Sequence, residues 1–245
     1  MASRADLTPC GTLARTHDPD RFLTALFAPP AHREAIFTLI AFNHELARAL
    51  DTAAASRGDY ATMGGQVRLQ WWREVVEGDP KRHEVATPLA ALLDTGRPGR
   101  ETLLGMIDAR TTELDGFEDL ETWRKALLAG PGGLSHAIAQ TLGAPDTTHD
   151  MTAAAGAAYA VGKILRHRPT LLALNRHPMP EALMHADDQT QAVTFGRTLL
   201  AEAGPLRLAR PQRAAILLAA LARRDLARAA KAEPQDGPRG LPDRF

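Results

Sequence analysis

Cysteine is nearly absent from this 245-residue chain, with Cys10 standing alone. That excludes an intrachain disulfide framework and every multi-cysteine metal cluster, and it suits a reducing compartment. Charge of one sign is missing too. The 29 Lys and Arg residues balance 29 Asp and Glu, so there is no global basic excess of the kind that marks a nucleic-acid binder, and any anion site must be local. Of the 29 basic residues only four are lysines, which reads as composition bias of the source genome. No stretch approaches the roughly 20 uninterrupted apolar residues that span a bilayer. Residues 1–16 lack the apolar run of a secretory signal. The expectation is a cytoplasmic protein with at most peripheral contact to the inner face of a membrane.

What remains is an ordinary globular composition, 44% hydrophobic and 24% charged, so wholesale disorder is excluded. Apolar residues recur at the helical period throughout, and no segment shows the sustained alternation of a half-buried strand. Asp18-Pro19 supplies an N-cap and a first-turn proline for a short helix that stops at Pro29-Pro30. A longer helix carries Ile36, Leu39, Ile40, Leu46 and Leu50, and a third runs from about Gln66 to Glu77. Short helices follow, closed by Gly96 and Gly116, and Asp119 can cap the next before Gly130-Pro131-Gly132-Gly133 breaks or kinks it. The pattern resumes from Leu134 to Leu142. Asp150 is placed to cap an alanine-rich helix ending near Arg166. Two more helices fit Asp188 to Leu208 and Pro211 to Ala232. Eight or more helices joined by short turns make one all-α domain over 18–232, preceded by an extension over 1–17 and followed by a flexible tail over 233–245.

Two clusters put polar residues where a helix should be apolar. Asn43, Ala47 and Asp51 lie at i, i+4 and i+8 on one face, with His44 and Arg48 one step round. They are either satisfied buried polar groups or the lining of a cavity between helices. The second cluster is Lys163, Arg166, His167 and Arg168 with Arg176 and His177. Cations near a helix C-terminus are favoured by the helix dipole, and arginines can also grip phosphate oxygens with a bidentate fork.

Several motifs in order resemble the squalene/phytoene synthase family. They are Asp20-Arg21-Phe22-Leu23 with Leu26-Phe27-Ala28-Pro29, Ala41-Phe42-Asn43-His44-Glu45-Leu46-Ala47-Arg48, and Leu69-Gln70-Trp71-Trp72-Arg73-Glu74. Leu104 to Arg110 and the stretch from Ala157 to Pro180 continue the match, which covers roughly residues 20 to 180. The resemblance implies an all-α isoprenoid (trans-prenyltransferase) synthase-like bundle with a central cavity. Active members join two polyprenyl diphosphates, using two Asp-rich motifs to hold Mg²⁺ against the pyrophosphates. Mg²⁺ requires carboxylates there.

This chain departs from both motifs. The first set of aspartates falls at Ala47, Arg48 and Asp51, and the second at His167 and Leu171, with Lys163 in place of an asparagine. Arg166 survives, the downstream tyrosine element reads Pro178-Met179-Pro180, and Glu113 restores no metal pair. The wording is closest to a catalytically degenerate branch associated with assembly of respiratory complex I.

Three expectations follow. The first is a pseudoenzyme that binds a prenyl or other anionic lipid or a protein partner, with no metal or cofactor. The second is an active prenyl diphosphate transferase, with Mg²⁺, in which Arg48, Lys163, Arg166, Arg168 and Arg176 clamp the diphosphate. The third is a scaffold without ligand. A cavity bordered by Asn43, His44, Asp51 and Lys163 would favour a ligand over a scaffold. The final helix, with Arg223, Arg224, Arg228 and Lys231 beside Leu217, Leu218, Leu221 and Leu226, is either a solvated basic face over a core stripe or a peripheral contact to anionic lipid. His44-Glu45 lacks the second histidine of a zinc helix, and neither a P-loop nor a Gly-x-Ser-x-Gly elbow is present.

Overall fold

The computed structural model describes residues 7–55, 61–79, 81–174, 176–185, 189–205 and 207–231; the tail expected over 233–245 lies outside them. Its helices are α1 (Pro9–His17), α2 (Pro19–Ala25), α3 (Pro30–Ala55), α4 (Ala61–Glu77), α5 (Ala86–Asp94), α6 (Arg100–Asp115), α7 (Leu120–Ala129), α8 (Pro131–Thr141), α9 (His149–Ala173), α10 (Glu181–Met184), α11 (Thr190–Glu202) and α12 (Leu218–Ala229). Among the described residues there is no strand.

Local chemistry sets several boundaries as expected. The Asp18 carboxylate accepts from the Arg21 backbone N–H and starts α2, and Asp119 accepts from that of Thr122 and starts α7. Elsewhere the structure corrects the sequence reading. Gly130-Pro131-Gly132-Gly133 breaks the helix as read, but at Gly130 alone, with no gap before Leu134. Gly130 ends α7 and caps α8, whose first residue is Pro131, where a missing N–H costs nothing.

Asp150 is not the cap of α9 but part of its first turn, and the helix runs past Arg166 and through Pro169 to Ala173. Its last turn keeps Leu171 and Leu172 packed against a core cluster, contacts that offset the hydrogen bond lost at the proline. Helix α11 ends at Glu202 rather than Leu208, because Gly204 turns left-handed at φ +59° and Pro205 disfavours a helical residue before it. A 3₁₀ turn at Arg210–Ala215 then delays α12 to Leu218. Residues 1–17, read as an extension, contain α1, whose Cys10 and Ala14 are buried and which packs on α3.

The core has two parts. One gathers Phe42, Trp72, Leu89, Leu103, Ile107 and Leu134 from α3 to α8. The other gathers Trp123, Tyr159, Val161, Leu165, Leu221 and Leu226 around α9 and α12. Helix α9 joins them, with Ala154 and Ala155 in the first and Ala157 and Ala158 in the second. The α8/α9 crossing is made of small residues: a Cβ on Gly132 would stand 2.6 Å from the Ala153 carbonyl oxygen, and one on Gly156 would stand 2.4 Å from Ser135 Oγ. In α12, Leu218, Leu221 and Leu226 are buried and form a core-packing stripe.

His136 is buried at the same crossing, edge-on to His149, with Nδ1 3.2 Å from Thr152 Oγ1. The Thr152 hydroxyl donates to the Thr148 and His149 carbonyls, so it is left to accept from an Nδ1–H. Burial, with a smaller contribution from His149, pushes the His136 pKa down to about 4. A histidine depressed from about 6.5 means that the unfolded chain binds the extra proton first between pH 6.5 and 4, so stability falls as pH falls through that window. The loss attributable to this group is about 3 kcal/mol at pH 4 relative to pH 7. Urea denaturation of the wild type and of His136→Gln across pH 7 to 4 measures it. Parallel pH dependences in the two proteins would refute the assignment.

Candidate functional site

A cavity of about 400 Å³ opens between α2, α3, α6, α7 and α9. Its apolar wall includes Ala109, Phe117, Trp123, Leu127, Ile164 and Leu171, and its charged lining is Asp18, Arg21, Arg110, Glu113, Lys163 and Arg176. Trp123 is fixed from two sides. Its Nε1–H donates to the Pro178 carbonyl at 2.9 Å, and its ring stacks on Phe195 at 4.8 Å. The indole therefore ties the segment after α9 to the wall.

The polar pole is built at the start of α2. Asp18 accepts from Arg21 Nη1 at 2.7 Å and lies 3.6 Å from Lys163 Nζ. Burial alone would raise the Asp18 carboxyl, but Lys163 and Arg21 outweigh it and hold the pKa at about 2. Asp18 is thus an anion at any physiological pH, serving both as the α2 cap and as a counter-ion. The Arg21 guanidinium packs over the Tyr159 ring at 4.9 Å from its centroid. Tyr159 in turn donates its hydroxyl proton to Asp20 Oδ2 at 3.1 Å. Arg21 Nε and Nη2 are both buried and have no hydrogen-bond partner.

The remaining charges pair off around the lining. Arg110 is paired with Glu113 and reaches Asn43 Oδ1 with Nη2 at 3.3 Å. Arg176 pairs with Asp51, joining the chain after α9 to the C-terminal part of α3. His167 and Glu113, named with the motifs, line the cavity; of the eight candidate site residues, Asn43, Lys163 and Arg176 line it, with Asp51 reaching it only through Arg176.

The other four lie elsewhere. His44 stacks on His17 with ring centroids 3.7 Å apart, and burial followed by His17 lowers its pKa. Arg48 binds buried Glu45 at 2.9 Å together with Arg68 at 3.0 Å. Arg166 points to buried Asp225 at 3.5 Å, and Arg168 Nε donates to the Met184 carbonyl at 2.9 Å. The five expected clamp cations are therefore not gathered at one place.

Sequence reasoning missed Arg21 as a lining residue and saw Asp18 only as a cap. The available signal was the i, i+3 spacing of Asp18 and Arg21 beside Phe22, a charge pair at the edge of an apolar stripe.

The implied Mg²⁺ does not fit this donor set. Asp18, Glu113 and Asp51 each answer to a fixed cation. Among the described residues no three His, Cys, Asp or Glu side chains are grouped so as to hold a metal ion.

Comparison with known proteins agrees with the motifs. The family model described as squalene/phytoene synthase matches residues 14–242. The human protein named NADH dehydrogenase (ubiquinone) complex I, assembly factor 6, is 30% identical over 110 residues, which is 43% of this chain and 31% of that protein. The match thus spans under a third of the human relative's length. A crystal structure of a dehydrosqualene synthase in complex with ligand superposes with a TM-score of 0.71 over 94% of this chain and 87% of that one, at 14% identity. That likeness speaks for the fold, and it agrees with the all-α isoprenoid synthase-like bundle expected from the sequence. With the family model spanning nearly its whole length, the chain belongs to the squalene/phytoene synthase family.

Proposed function

We propose that this protein binds rather than catalyses: it holds a prenyl or other anionic lipid in the central cavity and acts with a protein partner in assembly of respiratory complex I. The observation that carries the reading is the state of the carboxylates around the cavity. Asp18, Asp51 and Glu113 neutralise Arg21 with Lys163, Arg176 and Arg110 respectively. A diphosphate leaving group needs its developing charge neutralised in the transition state, and an acid already bound to an arginine is a poor metal ligand. The name of the human relative supports the assembly role. Among the described residues no helix is long and apolar enough to cross a membrane, so any membrane contact would be peripheral.

The experiment is incubation of the pure protein with labelled farnesyl or geranylgeranyl diphosphate and Mg²⁺, scored for bound label and for condensed product. The expected result is binding of the chain without product. Condensed product above that of heat-killed protein would overturn the reading. In cells lacking the protein, assembled complex I resolved on a native gel should fall, and an unchanged level would remove the assembly role.

A further inference from the structure

We infer that the cavity is built for one single-chain amphiphile with a monoanionic head such as a carboxylate, its two oxygens held by Nε and Nη2 of Arg21. This deepens the binding reading above and rests on it.

The unmet donors have the shape of a two-oxygen site. Nε–H and the neighbouring Nη–H of a guanidinium point the same way and form one edge of the fork that matches a carboxylate. In Arg21 the opposite nitrogen, Nη1, is the one bound to Asp18. Both nitrogens of that edge are buried, and Arg21 is one of the residues that line the cavity. Two buried donors without acceptors are costly, and a two-oxygen anion would satisfy both at once.

The charges of the lining favour a singly charged head. Arg110 cancels Glu113, and Arg176 cancels Asp51. Asp18 is shared by Arg21 and Lys163, and Asp20, which accepts from Tyr159, also acts on Arg21, so the pole carries no large excess of positive charge. A monoanion needs only the Arg21 fork, whereas a diphosphate brings charges for which the site holds no further cation.

The size of the cavity sets the number of chains. At roughly 30 Å³ for each water-sized group, 400 Å³ takes about a dozen or slightly more methylene-sized groups. One C15 chain already takes up that space, and two far exceed it. The apolar wall from Trp123 to Leu171 is where the chain would lie.

Isothermal titration calorimetry of the full chain with farnesoic acid, farnesol, farnesyl diphosphate and inorganic phosphate tests this. The acid should bind once per chain, about tenfold or more tighter than the alcohol, and tighter than the diphosphate. Phosphate alone should show no saturable binding. Arg21→Lys keeps a cation beside Asp18 but loses the fork. It should weaken the acid about tenfold to a hundredfold and leave the alcohol unchanged, which also shows that the variant is folded. If acid and alcohol bind equally, or Arg21→Lys changes neither, the head-group assignment is wrong while lipid binding stands. Two molecules bound per chain, or a preference for the diphosphate or for free phosphate, would also overturn it. If no amphiphile binds at all, the binding reading itself fails with it.

Discussion

Replacing Asp225 with alanine is expected to destabilise the protein by about 3 to 5 kcal/mol, the usual cost of removing one member of a buried ion pair. Asp225 is completely buried in α12, and the Arg166 side chain facing it from α9 is only 6% exposed. The desolvation cost of the guanidinium remains when the carboxylate goes, while the attraction that offset it is lost. The backbone is close here as well, since a Cβ on Gly162 would lie 3.0 Å from that of Asp225, leaving little room for water to enter as a substitute. The same physics predicts a rescue. Arg166→Met combined with Asp225→Leu replaces both charges by apolar groups and should recover most of the loss. Urea denaturation of Arg166→Met, Asp225→Leu and the double variant gives the coupling directly. An Asp225→Ala protein within about 1 kcal/mol of wild type, or a double variant no better than the single, would contradict this account.

The second large effect is steric. Gly132→Ala should cost about 3 kcal/mol or more, at or beyond the upper range for overpacking, because the added methyl would meet main chain and nothing that can rotate away. Its three nearest atoms are the carbonyl oxygen, carbonyl carbon and Cα of Ala153, at 2.6, 3.1 and 3.1 Å. Relief requires α8 and α9 to separate, which would loosen the contacts that Leu134, Ala154 and Ala155 make in the first core cluster. Gly105→Ala in α6 is the matched control. A Cβ there meets nothing within 4 Å, so the better helix former should stabilise by about 0.5 to 1 kcal/mol. Thermal unfolding of the two variants separates close packing from propensity. Equal effects of one sign would refute the distinction.

The fold was legible because its signals are local and repeated: period-3.6 apolar positions, acidic caps at Asp18 and Asp119, and turn residues at Gly96, Gly116 and Gly143. Helix ends were less so where tertiary contacts override them, as in the last turn of α9 beyond Pro169. The candidate site was legible in part. Lys163 and Asn43 were found because a cation and an amide sat on otherwise apolar faces. The helical period already separates the α9 cations. Lys163, His167, Thr170 and Leu171 share the side that lines the cavity, while Gly162 and Arg166 meet α12. Treating Lys163 to Arg168 as one basic patch merged two faces. The Asp18–Arg21 spacing pointed to a pair, but an arginine in an amphipathic helix is normally solvated, and it is the approach of Tyr159 and Lys163 from α9 that encloses Arg21.

Of the three tryptophans, Trp71 and Trp72 lie together on α4, whereas Trp123 stands by itself in the cavity wall against Phe195. That separation gives the molecule an intrinsic optical probe. With Trp71 and Trp72 changed to phenylalanine, the remaining emission arises from one indole whose N–H is held by the Pro178 carbonyl and whose surroundings form the chamber itself. Its wavelength and quenching would follow solvation of that interior in real time, distinguishing a wet chamber from one filled with hydrocarbon.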